Sequence, residues 1–248
     1  MAVVRTRVAP TPSGYLHEGN CVNALLSSWW AAETGQVFLR VDDADSTRYR
    51  REYAEDIFDT LAWLDIHIDL GPRSVIELED QWSQNHRKSR YREVLQPILD
   101  GPLVYTCSCT RTTVQCSCAD HKRTWTPGHT LRLRTADGHQ GPVLWRRDDI
   151  PAYHLTSVVD DHDFGITHVM RGEDLRESSV LQSNLAELLG LTFPGEVRHH
   201  PLLMDLGGHK LSKSTGAMGP LEKTDEVRER IVQTAVGMAP SVGVRSPR

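Results

Sequence analysis

Three stretches of the chain carry residues whose types and spacing could do chemistry. "CSCTRTTVQCSC" spaces four thiols as C-x-C-x6-C-x-C, with His121 three residues beyond the last. Two such turns can surround one tetrahedral zinc ion, with Cys107, Cys109, Cys116 and Cys118 as ligands and His121 able to replace one of them. Four protein ligands leave no open position, so the metal would be structural. In "APTPSGYLHEGN", Pro10 and Pro12 stiffen a turn, Gly14 permits close backbone approach, and Gly19 leaves room for a flat base. His17 and Asn20 can donate hydrogen bonds there, at a helix N-terminus that already favours anions. "HKLSKSTGA" sets Lys210 and Lys213 three apart among small hydroxyl residues. Turn and loop can close on one triphosphate from opposite sides, and such positioned positive charge suits a displacement at phosphorus.

The elements that must hold these groups alternate. Val3 to Ala9 reads as a strand, stopped by PTPSG, and Glu18 to about Thr34 as a helix burying Leu25, Leu26, Trp29 and Trp30. Val37 to Asp43 is a second strand. Helices follow over Tyr53–Leu64, with Ile57, Leu61 and Leu64 at helical spacing, and over Arg90–Leu99. After the cysteines, Thr130–Thr135 reads as a strand of an inserted subdomain. Tyr153–Asp160 and Ile166–Met170 read as strands joined through Gly165. A helix over Ser178–Leu189, a strand over Val197–Met204 and a helix within Glu222–Val236 follow, and the tail after Ala239 is expected to be disordered. The pattern predicts a parallel α/β sheet split by an insertion.

Composition is that of a soluble protein, 39% hydrophobic and 25% charged, and 248 residues suffice for a buried core. A net charge of −5 supplies no global basic field to draw in nucleic acid. The start, MAVVRTRVAPTPSG, lacks a signal-peptide layout, and no apolar run reaches the roughly 20 residues of a spanning helix. A cytoplasmic monomer with no membrane partner is expected.

With these elements placed, "RVAPTPSGYLHEGN" and "HKLSKS" resemble the paired signatures of class I aminoacyl-tRNA synthetases. "LRVDDAD" (Leu39–Asp45), "AYHLTSVVDDHDFGITHVMRGEDL" (Ala152–Leu175) and the leading "RVAPTPSG" resemble the glutamyl branch more closely. The resemblance implies a Rossmann-like parallel sheet split by a zinc-binding subdomain. Residues 1–100 and 149–204 would be its halves, 101–148 the insertion at the tRNA acceptor end, and 205–248 the lysine loop with a short helix and tail. No anticodon-binding domain is expected within the chain.

The implied activity is formation of an aminoacyl-adenylate from ATP, which Mg²⁺ accompanies, with His17, Asn20, Lys210 and Lys213 acting on the phosphates. Gly14 and Gly19 belong to the same ATP turn. The family's first signature often reads His-x-Gly-His, and Asn20 stands at its fourth position. Arg7 and Arg171 fall where the family binds carboxylate, and Thr11 and Tyr153 add hydroxyl contacts. Asp42 stands where a glutamate commonly reaches the substrate's α-amino group, one methylene shorter.

The chain is most similar to the core-only glutamyl-Q tRNA(Asp) synthetases, which attach glutamate to the queuosine base of tRNA(Asp). Two further readings stand beside that one. The same adenylating core could serve a small molecule or carrier protein, or the chain could be a non-catalytic relative that binds tRNA or ligand.

Overall fold

The computed structural model describes residues 3–32, 35–109, 113, 116–121, 123–134, 141–203 and 219–246. Parallel strands covered on both faces need apolar side chains on each. β2 (Gln36–Leu39) meets that need with Val37, Phe38 and Leu39 buried, whereas β1 (Arg5–Val8) buries Thr6 and Arg7 with Val8; the two pair in parallel with Arg7 beside Phe38. Their crossover is α1 (Glu18–Ala31), which buries Val22, Leu25 and Leu26 and leaves Trp29 and Trp30 half-buried at the core's edge. α2 (Arg51–Trp63) adds Ala54, Ile57 and Leu61 to the same core. The short α3 (Val75–Glu77) and then α4 (Lys88–Leu95) follow.

β3 (Val104–Cys107), β4 (Thr130–Leu133) and β5 (Val143–Trp145) form an antiparallel sheet of their own. Val104, Leu131, Leu144 and Trp145 share a second core with Tyr91 and Leu95 of α4. That core also takes Leu155 and Val159 of α5 (Tyr153–Asp163). A strand was expected over the first part of α5, and the structure corrects it. Leu155 to Asp161 are all buried, so no polar face marks the helical period, while Thr156, Val158 and Val159 supply strand-like β-branching. Pro151 lies just ahead of this helix, and Gly165, at φ +63, lies just beyond it.

β6 (His168–Gly172), α6 (Arg176–Leu188) and β7 (Glu196–His200) make a second parallel pair, with Arg171 beside His199. The two parallel pairs meet where the Thr167 N–H donates to the Arg5 carbonyl at 3.0 Å. β7 ends four residues before the expected Met204, at Pro201, which has no N–H for a ladder.

α7 (Asp225–Met238), capped by Thr224, buries Ile231 and Ala235 against the first core. The tail was expected to be disordered; instead residues 239–242 form a 3₁₀ turn, and Val242 and Val244 are buried in that core. Arg198 fastens the turn by donating to the Val242 and Gly243 carbonyls at 2.8 and 2.9 Å. No helix among the described residues is long and apolar enough to cross a membrane.

Candidate active site

The turn after β1 opens a cavity of about 230 Å³. His17 caps α1, and its backbone N–H donates to Asn20 Oδ1 at 3.1 Å. That bond occupies the Asn20 oxygen and leaves its amide nitrogen as the donor to offer a phosphate. At Gly19 a Cβ would stand 3.0 Å from the His17 ring, so any larger residue would press the imidazole away from its place against the backbone. His17, Gly19 and Asn20 line the cavity, whereas Gly14 lies in the turn outside its lining. Lys210 and Lys213 fall outside the described residues.

Another part of the same lining carries Arg7, Arg40, Asp42, Tyr153 and Arg171. Buried charge must be compensated, and most of it is. Asp161, 1% exposed, accepts from Arg7 Nε at 2.9 Å and Arg40 Nη1 at 2.6 Å through one oxygen, Oδ1. Burial alone would raise its pKa, but Arg7, Arg40 and Arg171 pull the carboxyl below the usual carboxylate range. Arg40 also donates to both oxygens of Asp42, at 2.6 and 3.3 Å. Asp42 is thus held into the wall by a guanidinium at the position where the resemblance places an ammonium contact.

Arg171 differs. It is 3% exposed, donates to Ser179 Oγ at 3.0 Å and Gln182 Oε1 at 2.5 Å, and has no carboxylate within 4.0 Å among the described residues. Burial first, then repulsion from Arg7, brings its pKa down to about 10. Such a guanidinium is prepared to receive a carboxylate from outside the chain. Tyr153, at the start of α5, lines both this cavity and a second one of about 830 Å³. Thr11 lines only the second, which lies between the turn after β1 and the antiparallel sheet; Asp45, Arg48, Arg132 and Arg146 line it too.

Sequence reasoning missed the residues that brace this wall. Gln84, 1% exposed, donates from its amide to Asp160 Oδ2 at 2.8 Å and to Asp42 Oδ1 at 3.4 Å. Asp160 also accepts from Arg87 at 2.8 Å and from the Tyr91 hydroxyl at 2.9 Å. The usable signal was the pair Asp160–Asp161 directly after Val158 and Val159, together with Arg40 in the middle of a strand pattern. Charges placed there must find buried partners.

The four cysteines converge. Cys107 and Cys116 Sγ lie 3.7 Å apart, Cys109 and Cys118 Sγ 3.6 Å, and all four within 4.8 Å of one another. Ligands about 2.3 Å from zinc at tetrahedral angles stand roughly 3.8 Å apart, so the set fits that ion. His121 is not in this group. Arg147 braces the first turn by donating to the Ser108 and Cys109 carbonyls at 2.5 and 3.1 Å, and Arg146 ties the same segment to Asp45 at 2.6 Å. Freshly purified, reduced protein is expected to carry about one zinc per chain and to lose thermal stability on chelation. Metal analysis finding none would contradict the assignment.

The chain matches the family "tRNA synthetases class I (E and Q), catalytic domain" over residues 3–127 and 132–240. It is 32% identical to a glutamate–tRNA ligase of Alkalilimnicola ehrlichii, covering 91% of this chain and 54% of that protein. A glutamate–tRNA ligase of Bordetella parapertussis is 34% identical, covering 88% of this chain and 52% of that protein. The chain thus spans about half the length of these curated relatives. Glutamate–tRNA synthetase from Elizabethkingia anophelis superposes with a TM-score of 0.72 at 25% identity, covering 86% of this chain and 53% of that one. Methionyl-tRNA synthetase from Mycobacterium tuberculosis superposes at 0.60 with 13% identity, over 94% and 63% of the two chains, a likeness of fold alone.

Proposed function

Because the chain belongs to the class I tRNA synthetases of the E and Q type, matching their catalytic domain, we propose that it activates glutamate with ATP and transfers it to a tRNA. One observation carries this reading. The helix-terminal residues His17, Gly19 and Asn20 and the buried guanidiniums of Arg7 and Arg171 line a single cavity. A carboxylate held by the guanidiniums therefore lies in the same space as a phosphate held at the N-terminus of α1. In the reaction a carboxylate oxygen of glutamate attacks the α-phosphorus of ATP, the new P–O bond forms, and pyrophosphate leaves. Mg²⁺, arriving with ATP, supplies charge neutralisation on the phosphates. His17 and Asn20 position the phosphates, while Arg7, Arg171 and Tyr153 position the amino acid.

The lysine loop supplies the remaining positive charge. Lys213→Ala is expected to lower adenylate formation by about 10²-fold with the melting temperature unchanged, the loss of one transition-state charge donor. Wild-type turnover in that variant would remove the loop from the mechanism.

The second cavity, whose lining shares Asp42 and Tyr153 with the first, supports entry of the acceptor between the turn after β1 and the segment that carries the cysteines. The acceptor we assign is the queuosine base of tRNA(Asp), as the resemblance to that branch implies. Labelled glutamate is offered to tRNA(Asp) with queuosine, to tRNA(Asp) without it, and to tRNA(Glu). Transfer confined to the first supports the assignment, and transfer to tRNA(Glu) overturns it.

A further inference from the structure

The direct hydrogen-bond partners of Arg171 are uncharged. Ser179 and Gln182 stand three apart on one face of α6 and accept its Nη1 and Nη2 protons at 3.0 and 2.5 Å. Behind Ser179, His199 Nε2 lies 2.9 Å from the hydroxyl, and behind Gln182, His154 Nδ1 lies 3.5 Å from the amide nitrogen. Burial lowers the pKa of both histidines; Arg171 lowers that of His154 further, and Arg176 and Arg171 that of His199, which favours the neutral imidazole in each. Arg7, Arg40 and Arg87, by contrast, each have a carboxylate within 2.9 Å. Asp161 feels Arg171 at longer range but gives its Oδ1 to Arg7 and Arg40. The Nε of Arg171 has no hydrogen-bond partner among the described residues.

We propose that Gln182 and Ser179 are positioning residues that hold Arg171 by neutral hydrogen bonds alone, keeping its charge for a carboxylate of the bound amino acid. The inference rests on glutamate activation in this cavity and adds a determinant of its amino-acid affinity. Neutral acceptors fix the plane of the guanidinium fork without consuming its charge. A carboxylate on α6 would fix it equally well and compete with the ligand.

That difference gives an inverted order of severity. Gln182→Glu has nearly the same shape, whereas Gln182→Met loses the acceptor but adds no charge. If Gln182 were only a packing residue, the isosteric glutamate would be the milder change. The proposal predicts the reverse, with the glutamate KM raised by about tenfold or more in Gln182→Glu and by roughly threefold in Gln182→Met. The KM for ATP should hold in both.

The experiment is ATP–pyrophosphate exchange on wild type and both variants, titrating glutamate and ATP separately and recording each melting curve. Gln182→Glu with a wild-type glutamate KM, or a smaller effect than Gln182→Met, overturns the inference and leaves the proposed function standing. Wild-type protein that shows no exchange with glutamate, either with or without tRNA, overturns both. Should Gln182→Glu not fold, Ser179→Ala is read in its place. It must raise the glutamate KM and spare that for ATP, and an unchanged glutamate KM overturns the inference.

Discussion

Arg171→Met is expected to lower glutamate-dependent adenylate formation by about 10³-fold while leaving the melting temperature unchanged or raised. The two halves of that result have one cause. Arg171 is buried at 3% exposure and is met by a hydroxyl and an amide, so its desolvation is not offset by an ion pair within the described residues. A methionine of similar length removes the buried charge and keeps most of the packing, a change often neutral or stabilising in folded proteins. The incoming carboxylate then loses its charged partner in a water-poor cavity, where such a loss amounts to about 2–5 kcal/mol. Steady-state exchange and a thermal melt on the same sample check both halves. Full activity would remove Arg171 from the site, and a collapsed fold would make it a structural cation.

Asp161→Asn tests the opposite case. This carboxylate accepts Arg7 and Arg40 on one oxygen at 2.9 and 2.6 Å, with a side-chain exposure of 1%. The amide has nearly the same shape but no charge, and it leaves Arg7 with no carboxylate within ion-pair distance among the described residues. Breaking a buried pair on one side costs about 3–5 kcal/mol, and here Arg7 and the Arg40–Asp42 clamp would be disturbed together. Urea unfolding at neutral pH is expected to show that loss, with glutamate activation lost too. A difference below about 1 kcal/mol would contradict the bracing role, being the worth of an exposed pair. The folded pKa of Asp161 lies below its unfolded value, so its stabilisation is present above the unfolded value and lost as pH falls through the folded one. The gap between wild type and variant should therefore narrow in acid.

Local signals read well from the sequence wherever the chain's own neighbours decide the outcome. The cap at His17, the α1 crossover with Leu25 and Leu26 inward, and the convergence of four closely spaced cysteines all belong to this class. α5 was hidden because burial on every side erased the period that distinguishes helix from strand. The tail was hidden because Val242 and Val244 pack into a core built mainly by residues far earlier in the chain.

The site divides along the same line. His17, Gly19 and Asn20 could be placed from a twelve-residue stretch. The wall proposed to bind carboxylate depends on pairs such as Arg40 with Asp161, 121 positions apart, which no local spacing reveals. Asp42 was named from its place in the motif, and the structure adds that Arg40, two residues away, donates to both its oxygens.

The central claim is that this cavity joins a carboxylate to ATP, and ATP–pyrophosphate exchange with a panel of amino acids, each with and without tRNA, tests it most directly. The account predicts exchange that depends on glutamate and is lost in Arg171→Met. Exchange with a different amino acid, or none from folded, zinc-loaded protein under either condition, would contradict it.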